Sequence, residues 1–222
     1  MGTPRILILG HSFIRRLHDF IESDAGQLDL TFHLTDSAQI HWHGVGGRTI
    51  AKTVKFDLPI LQSFRPDIVI VQLGTNDLTS CRPLQVGSAM EDFVHLLYDT
   101  YGVKCVCVCQ TIRRRSAVVF NQRVDMLTRY LRVVLEPIPF AIYWGHRGFW
   151  RCRNSFFSMD GIHLNRRGNI SFIAALGERY SNLFEFLLVM ASNNLLCHFS
   201  FQSNFMQCCL FVARPNRICV RL

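Results

Sequence analysis

Apolar residues along this chain come in two patterns: short branched runs, and longer stretches where they recur every three or four positions. Ile6-Leu-Ile-Leu9 is the first run, with no polar interruption, as in a strand buried on both faces. Gly10 ends it, and Phe13, Leu17, Phe20 and Ile21 then recur at helical spacing. Residues 28–34 read as extended and 39–45 as a second strand. The glycine-rich turn Gly44-Val-Gly-Gly-Arg-Thr49 feeds a helix-like segment to about Phe64, which Pro59 divides. Residues 67–73 form the clearest buried strand and run into Gly74-Thr-Asn-Asp77, a loop signal. Met90, Phe93, Leu97 and Tyr101 predict a helix that Gly102 ends. A strand follows over 103–109, and Phe120, Val124, Leu127, Leu131 and Val134 mark an amphipathic helix closed by Pro137. Residues 140–144 are the last strand, and Ile170, Ile173, Ala174, Gly177 and Phe184 mark a final helix.

Strands alternating with helices at this spacing imply right-handed βαβ units and a parallel sheet covered on both faces. Ligands of such sheets bind beyond the carboxyl ends of the strands. The residues that follow strands here are Ser12, Gly46 and Gly47, Asn76, Arg113 to Arg115, and a long polar and aromatic loop over 145–164 that closes on Asp160-Gly-Ile-His163. Residues 187–222 lack clean periodicity and hold four of the nine cysteines. The expected organisation is therefore one domain over 1–186 and a poorly patterned tail over 187–222.

Composition narrows the function classes. With 222 residues, 49% of them hydrophobic and 18% charged, the chain is long and apolar enough for one α/β domain and is not a disordered chain. The net charge of +8 comes from arginine, since lysine occurs only at Lys52, Lys55 and Lys104. Arginines cluster at Arg113-Arg114-Arg115, at Arg147, Arg151 and Arg153, and at Arg166-Arg167, and their forked donors suit carboxylate or phosphate. Cys105, Cys107 and Cys109 alternate along a strand, so they share a face and cannot easily pair with one another. No C-x-x-C pair with zinc spacing occurs, and His41, His43, His146 and His198 show no ligand spacing with acidic residues or cysteines, so no metal or other cofactor is expected. Free thiols, no leader-like start, no myristoylation pattern and no run of about 18 apolar residues together predict an intracellular protein, cytoplasmic or nuclear, without a membrane span. Oligomeric state is not legible.

The candidate chemistry starts at Ser12. A serine at a strand-to-helix turn has its backbone N–H at the positive end of a helix, which suits a nucleophile whose product is an oxyanion. A serine there can equally serve as a helix cap. A hydrolytic serine needs a base, a carboxylate to orient that base, and oxyanion donors. Asp160 and His163, three apart, can make the carboxylate–imidazole pair. Gly47, lacking a side chain, can bring its N–H close to substrate, and Asn76 offers an amide donor. The nucleophile-elbow pattern G-x-S-x-G is absent, which argues against an ordinary α/β-hydrolase. Plain turns are the alternative reading of Asn76-Asp77 and Asp160-Gly161.

Four blocks in order, Gly10-His-Ser12, Gly46-Gly-Arg-Thr49, Gly74-Thr-Asn-Asp77 and Asp160-Gly-Ile-His163, resemble the SGNH (GDSL-type) hydrolases over roughly residues 6–184. The resemblance implies a three-layer α/β/α sandwich with a central five-stranded parallel sheet, of the SGNH/flavodoxin-like kind. It also implies a metal-free carboxylic-ester hydrolase acting on a small acyl or acetyl ester. Ser12 would be the nucleophile, His163 the base and Asp160 its partner; the oxyanion hole would be the N–H groups of Ser12 and Gly47 and the side chain of Asn76. His11 is the departure, because this family has aspartate before the serine; here the histidine either donates into the hydrogen-bond network or leaves the serine poorly oriented. The chain is also similar to the stand-alone or transposon-associated SGNH-like domains of animal genomes. The alternative reading is therefore a catalytically weak module of this fold that binds polyanions such as nucleic acid through Arg113, Arg114, Arg115, Arg151 and Arg153. A phosphate-binding role for residues 44–49 finds little support, since neither G-x-G-x-x-G nor the P-loop pattern fits.

Overall fold

The structure, a computed structural model, describes residues 3–23, 38–146, 148–149 and 151–177. The extended segment expected over 28–34, Phe184 and the tail over 187–222 lie outside the described residues.

Five strands form one parallel sheet: β1 (Arg5–Gly10), β2 (Gln39–Gly44), β3 (Ile68–Gln72), β4 (Cys105–Cys109) and β5 (Ala141–Trp144), in the order β2-β1-β3-β4-β5. Among the described residues, six helices connect and cover them: α1 (Ser12–Ser23), α2 (Ile50–Phe56), α3 (Leu58–Phe64), α4 (Pro83–Asp99), α5 (Val118–Leu135) and α6 (Arg166–Gly177). The alternation of side chains along each strand divides the core in two. Ile6, Ile8, Ile68, Ile70, Cys105, Cys107 and Cys109 point to the face covered by α1 and α6, where Phe13, Ile14, Leu17, Ile21 and Phe172 pack on them. Leu7, Leu9, Val69, Val71, Val106 and Val108 point to the opposite face, under α2 to α5. The uninterrupted apolar runs follow from this, because β1, β3 and β4 bury both faces. The three cysteines of β4 share one buried face as free thiols, and burial pushes the Cys105 thiol up, away from reactivity.

The helical segment that Pro59 was expected to divide breaks at Asp57, two residues earlier. The proline falls in the first turn of α3, where its missing N–H has no helical partner to lose. Asp57 is turned inward there to an ion pair described below.

From β1 the chain turns to β2 through α1 on one face. It then returns across the sheet through α2 and α3 to β3 on the other side of β1. The carboxyl ends of β1 and β3 therefore form the switch point at which a crevice opens. Gly10 pairs with Gly44 on one side and with Gln72 on the other, so the residues following β1, β2 and β3 emerge side by side. Close packing of α1 requires two of these glycines. A Cβ on Gly44 would stand 2.2 Å from Arg15 N, and one on Gly10 would stand 2.5 Å from Ile14 Cγ1.

Candidate active site

Ser12 opens α1 immediately beyond β1, and its side chain is partly buried at the switch point. The preceding residue sets the helix start. The His11 carbonyl accepts from the N–H groups of Ile14 and Arg15, and the His11 ring Nδ1 accepts from the Phe13 N–H at 3.3 Å. His11 is thus an acceptor, not the donor that sequence reasoning allowed for. Burial first, and then the charges of His163 and Arg114, push its pKa down to about 3, so the ring is neutral and able to accept. None of these bonds takes the Ser12 N–H, which stays at the positive end of the helix.

Ser12 Oγ lies 3.0 Å from His163 Nε2, across 151 residues of sequence. His163 Nδ1 lies 2.6 Å from Asp160 Oδ2. With an ionised carboxylate as acceptor, Nδ1 carries the ring proton and Nε2 presents its lone pair to the serine hydroxyl. Asp160 Oδ1 also accepts the backbone N–H groups of Ile162 and His163, each at 2.9 Å. Desolvation works to raise the Asp160 pKa, but the His163 ring and these two N–H donors outweigh it and hold it at about 2. Gly161, at φ +67, makes the turn between the pair possible. Phe13 packs against the imidazole, with ring centroids 5.8 Å apart.

The loop bearing this pair closes on itself. Ser158 N–H donates to the His163 carbonyl, Phe157 bridges Leu164, and Asn165 donates to the Ser155 and Phe157 carbonyls. A strut from the loop after β4 holds it: Arg115 N–H donates to the Gly161 carbonyl and its guanidinium to the Met159 carbonyl, each at 2.7 Å. Sequence reasoning missed this strut, since nothing in a run of three arginines distinguishes a brace from a solvated patch.

Gly47 and Asn76 sit on the neighbouring strand ends. The Val45 N–H donates to the Gly10 carbonyl, which ties the glycine loop to the end of β1. The Asn76 amide donates to the Arg48 carbonyl at 2.7 Å, and Asp77 Oδ1 accepts the Ile50 N–H. Arg48 is further anchored by a two-pronged ion pair to buried Asp57, whose Oδ1 is also 3.2 Å from His43 Nε2. Gly47 itself has φ +71, and a Cβ there would meet nothing within 4 Å. Within the fold, the need for glycine is therefore the left-handed backbone and not contact with a neighbouring protein atom.

Beneath the rim lies a buried polar chain that the sequence reading passed over. Gln72 donates to the Gln110 carbonyl, and Gln72 Oε1 lies 2.9 Å from His146 Nε2. Desolvation pushes the pKa of fully buried His146 down to about 3, so it too is neutral. A glutamine at the carboxyl end of an otherwise apolar strand is the signal that was available. Arg113 pairs with Asp125, whereas Arg151 and Arg153 are exposed. No helix among the described residues is long and apolar enough to cross a membrane.

No family model and no curated protein matches the chain by sequence. Solved structures do match its fold. A GDSL-like lipase from Bacteroides thetaiotaomicron superposes with a TM-score of 0.62 at 13% identity, over 82% of this chain and 93% of that one. An acetylxylan esterase from Geobacillus stearothermophilus gives 0.60 at 10% identity, over 79% and 94%. A lipase from a goat rumen metagenome gives 0.60 at 13%, over 78% and 96%. At these identities the likeness is one of fold: the five-stranded parallel sheet of this chain and its covering helices superpose on a GDSL-like lipase and an acetylxylan esterase.

Proposed function

We propose that the chain, built on the fold of GDSL-like lipases and acetylesterases, is a serine esterase that hydrolyses a small acyl or acetyl ester. The single observation that carries this reading is the relay from Ser12 Oγ to His163 Nε2 at 3.0 Å and from His163 Nδ1 to Asp160 at 2.6 Å. In the proposed reaction Ser12 Oγ attacks the ester carbonyl carbon and its proton passes to His163 Nε2. The carbonyl oxygen becomes an oxyanion facing the Ser12 and Gly47 N–H groups and the Asn76 amide. The carbon–oxygen bond to the alcohol then breaks, and the alcohol leaves with the proton held by His163. Water repeats the sequence on the acyl-serine, giving up a proton to His163, and the acid departs as Ser12 recovers its hydrogen. Asp160 keeps the imidazole in the working tautomer and stabilises its charged form without itself taking the proton. No step calls for a metal or cofactor.

A polyanion-binding role draws less support from the geometry, because Arg113 pairs with Asp125 and Arg115 braces the Asp160–His163 loop, which leaves Arg151 and Arg153 as the exposed members of the proposed set. The esterase reading is tested with 4-nitrophenyl acetate, comparing purified protein with its Ser12→Ala variant. Sustained nitrophenolate release by the first and background release by the second is expected. Equal rates from the two proteins would overturn the reading.

A further inference from the structure

Arg114 stands beside this site with its charge unbalanced. Its backbone is clamped by one side chain: Arg114 N–H donates to Asn121 Oδ1, and Asn121 Nδ2 donates to the Arg114 carbonyl, each at 2.8 Å. The guanidinium carbon lies over a ring, 3.9 Å from the centroid of Phe120, and its Nη2 donates to the Thr75 carbonyl at 3.3 Å. Thr75 directly precedes Asn76, so the guanidinium reaches to within one residue of the amide proposed as an oxyanion donor.

Burial works against this charge, lowering the Arg114 pKa, and its field reaches His11, the residue before Ser12. No carboxylate lies at ion-pair distance from it among the described residues, whereas Arg48 and Arg113 each have one. Its Nε is buried and has no hydrogen-bond partner there. A partly desolvated cation is ordinarily paired, because removing it from water is costly unless an anion or further acceptors compensate. Two features hold the side chain rigid, the ring beneath and the clamp behind, so its position does not depend on a partner arriving. With Nε buried and one Nη2 N–H given to Thr75, the remaining Nη N–H groups are the donors left for a carboxylate.

We infer that Arg114 is a specificity-determining residue, and that the preferred substrate is an ester carrying a carboxylate that pairs with Arg114 while its carbonyl carbon lies over Ser12 Oγ. The inference rests on the esterase reading. It adds the substrate class: a half-ester of a dicarboxylic acid, or an acyl ester of a hydroxy-acid.

The experiment compares kcat/KM for neutral 4-nitrophenyl acetate with that for two charged esters, mono-4-nitrophenyl succinate (carboxylate on the acyl side) and 4-acetoxybenzoate (carboxylate on the alcohol side). Wild-type protein, Arg114→Gln and Arg114→Lys are assayed at low and high salt, with folding checked by circular dichroism. The wild type should favour one charged ester over its matched neutral analogue. Arg114→Gln should cut that charged-to-neutral ratio by about tenfold or more, on the scale of a lost charge-assisted hydrogen bond. Arg114→Lys should restore part of it, and salt should erode it. An unchanged ratio, or a uniform loss on all three esters, would overturn the inference and leave Arg114 a structural brace. Should no ester turn over, the esterase reading fails separately. Calorimetric titration with succinate then decides the carboxylate site: binding lost in Arg114→Gln supports it, and equal or absent binding in the two proteins refutes it.

Discussion

The Asn76 side chain donates to the Arg48 carbonyl at 2.7 Å, joining the loop after β3 to the glycine loop after β2. A carboxamide has two N–H donors, so this bond leaves one for a ligand while fixing the direction in which it points. Because Gly47 is the residue before Arg48, the same bond steadies both proposed oxyanion donors. Asn76→Ala should therefore lower kcat by about 10²–10³, the cost of losing one such donor, with a smaller effect on KM. Steady-state kinetics on an aryl acetate would show it, and an unaltered kcat would remove Asn76 from the hole.

Asp160 accepts from the His163 ring and from two backbone N–H groups, and its pKa stays at about 2. The carboxylate is thus ionised throughout the range in which an esterase is assayed. Asp160→Asn replaces the acceptor facing Nδ1 with an amide that can favour the wrong tautomer. A loss of about 10²–10⁴ in kcat is expected, by analogy with the aspartate-to-asparagine change in serine proteases. The thermal midpoint should move little by comparison, since the Asp160 carboxylate lies at the surface, with its side chain 40% exposed.

Gly44 and Gly47 lie three residues apart and should respond to alanine in different ways. At Gly44 the new methyl group would meet Arg15 N at 2.2 Å, so α1 must shift against β2. At Gly47 there is open space and only the φ of +71 is penalised, by about 1–2 kcal/mol. Urea titrations should show Gly44→Ala as the more destabilised variant. Gly47→Ala should instead lose activity out of proportion to its stability, because relaxing φ turns its N–H away. The reverse ranking in stability would contradict the packing described.

His11 and His146 are buried and neutral, each held near a pKa of about 3 against an ordinary 6.5. Their folded values are depressed, so in acid the unfolded chain binds protons that the folded chain refuses. Their contribution to stability is complete above pH 6.5 and declines as pH falls from there towards 3. The slope reaches about 1.4 kcal/mol per pH unit for each histidine. Unfolding free energies measured between pH 7 and 4 should fall accordingly, and His146→Gln should remove about one proton from the linkage. A stability flat over that interval would mean that these rings are protonated in the folded state.

The local grammar of the chain determined its architecture. Runs such as Ile6-Leu-Ile-Leu9 and Ile68-Val-Ile-Val71 bury both faces, and their alternation with helical periods leaves few arrangements other than a covered parallel sheet. The same pattern locates strand ends, which is why Ser12, Gly47 and Asn76 stand out in the sequence. Tertiary structure decided which side chains meet. That His11 accepts where an aspartate was expected, that Arg115 braces the Asp160–His163 loop, that Arg114 stacks on Phe120 and that Gln72 finds His146 are all pairings across sequence gaps or choices of rotamer. Periodicity reports only whether a position faces the core. Hydrogen bonds of about 3 Å depend on the packing of distant elements to within fractions of an ångström, and that information is spread over the whole fold.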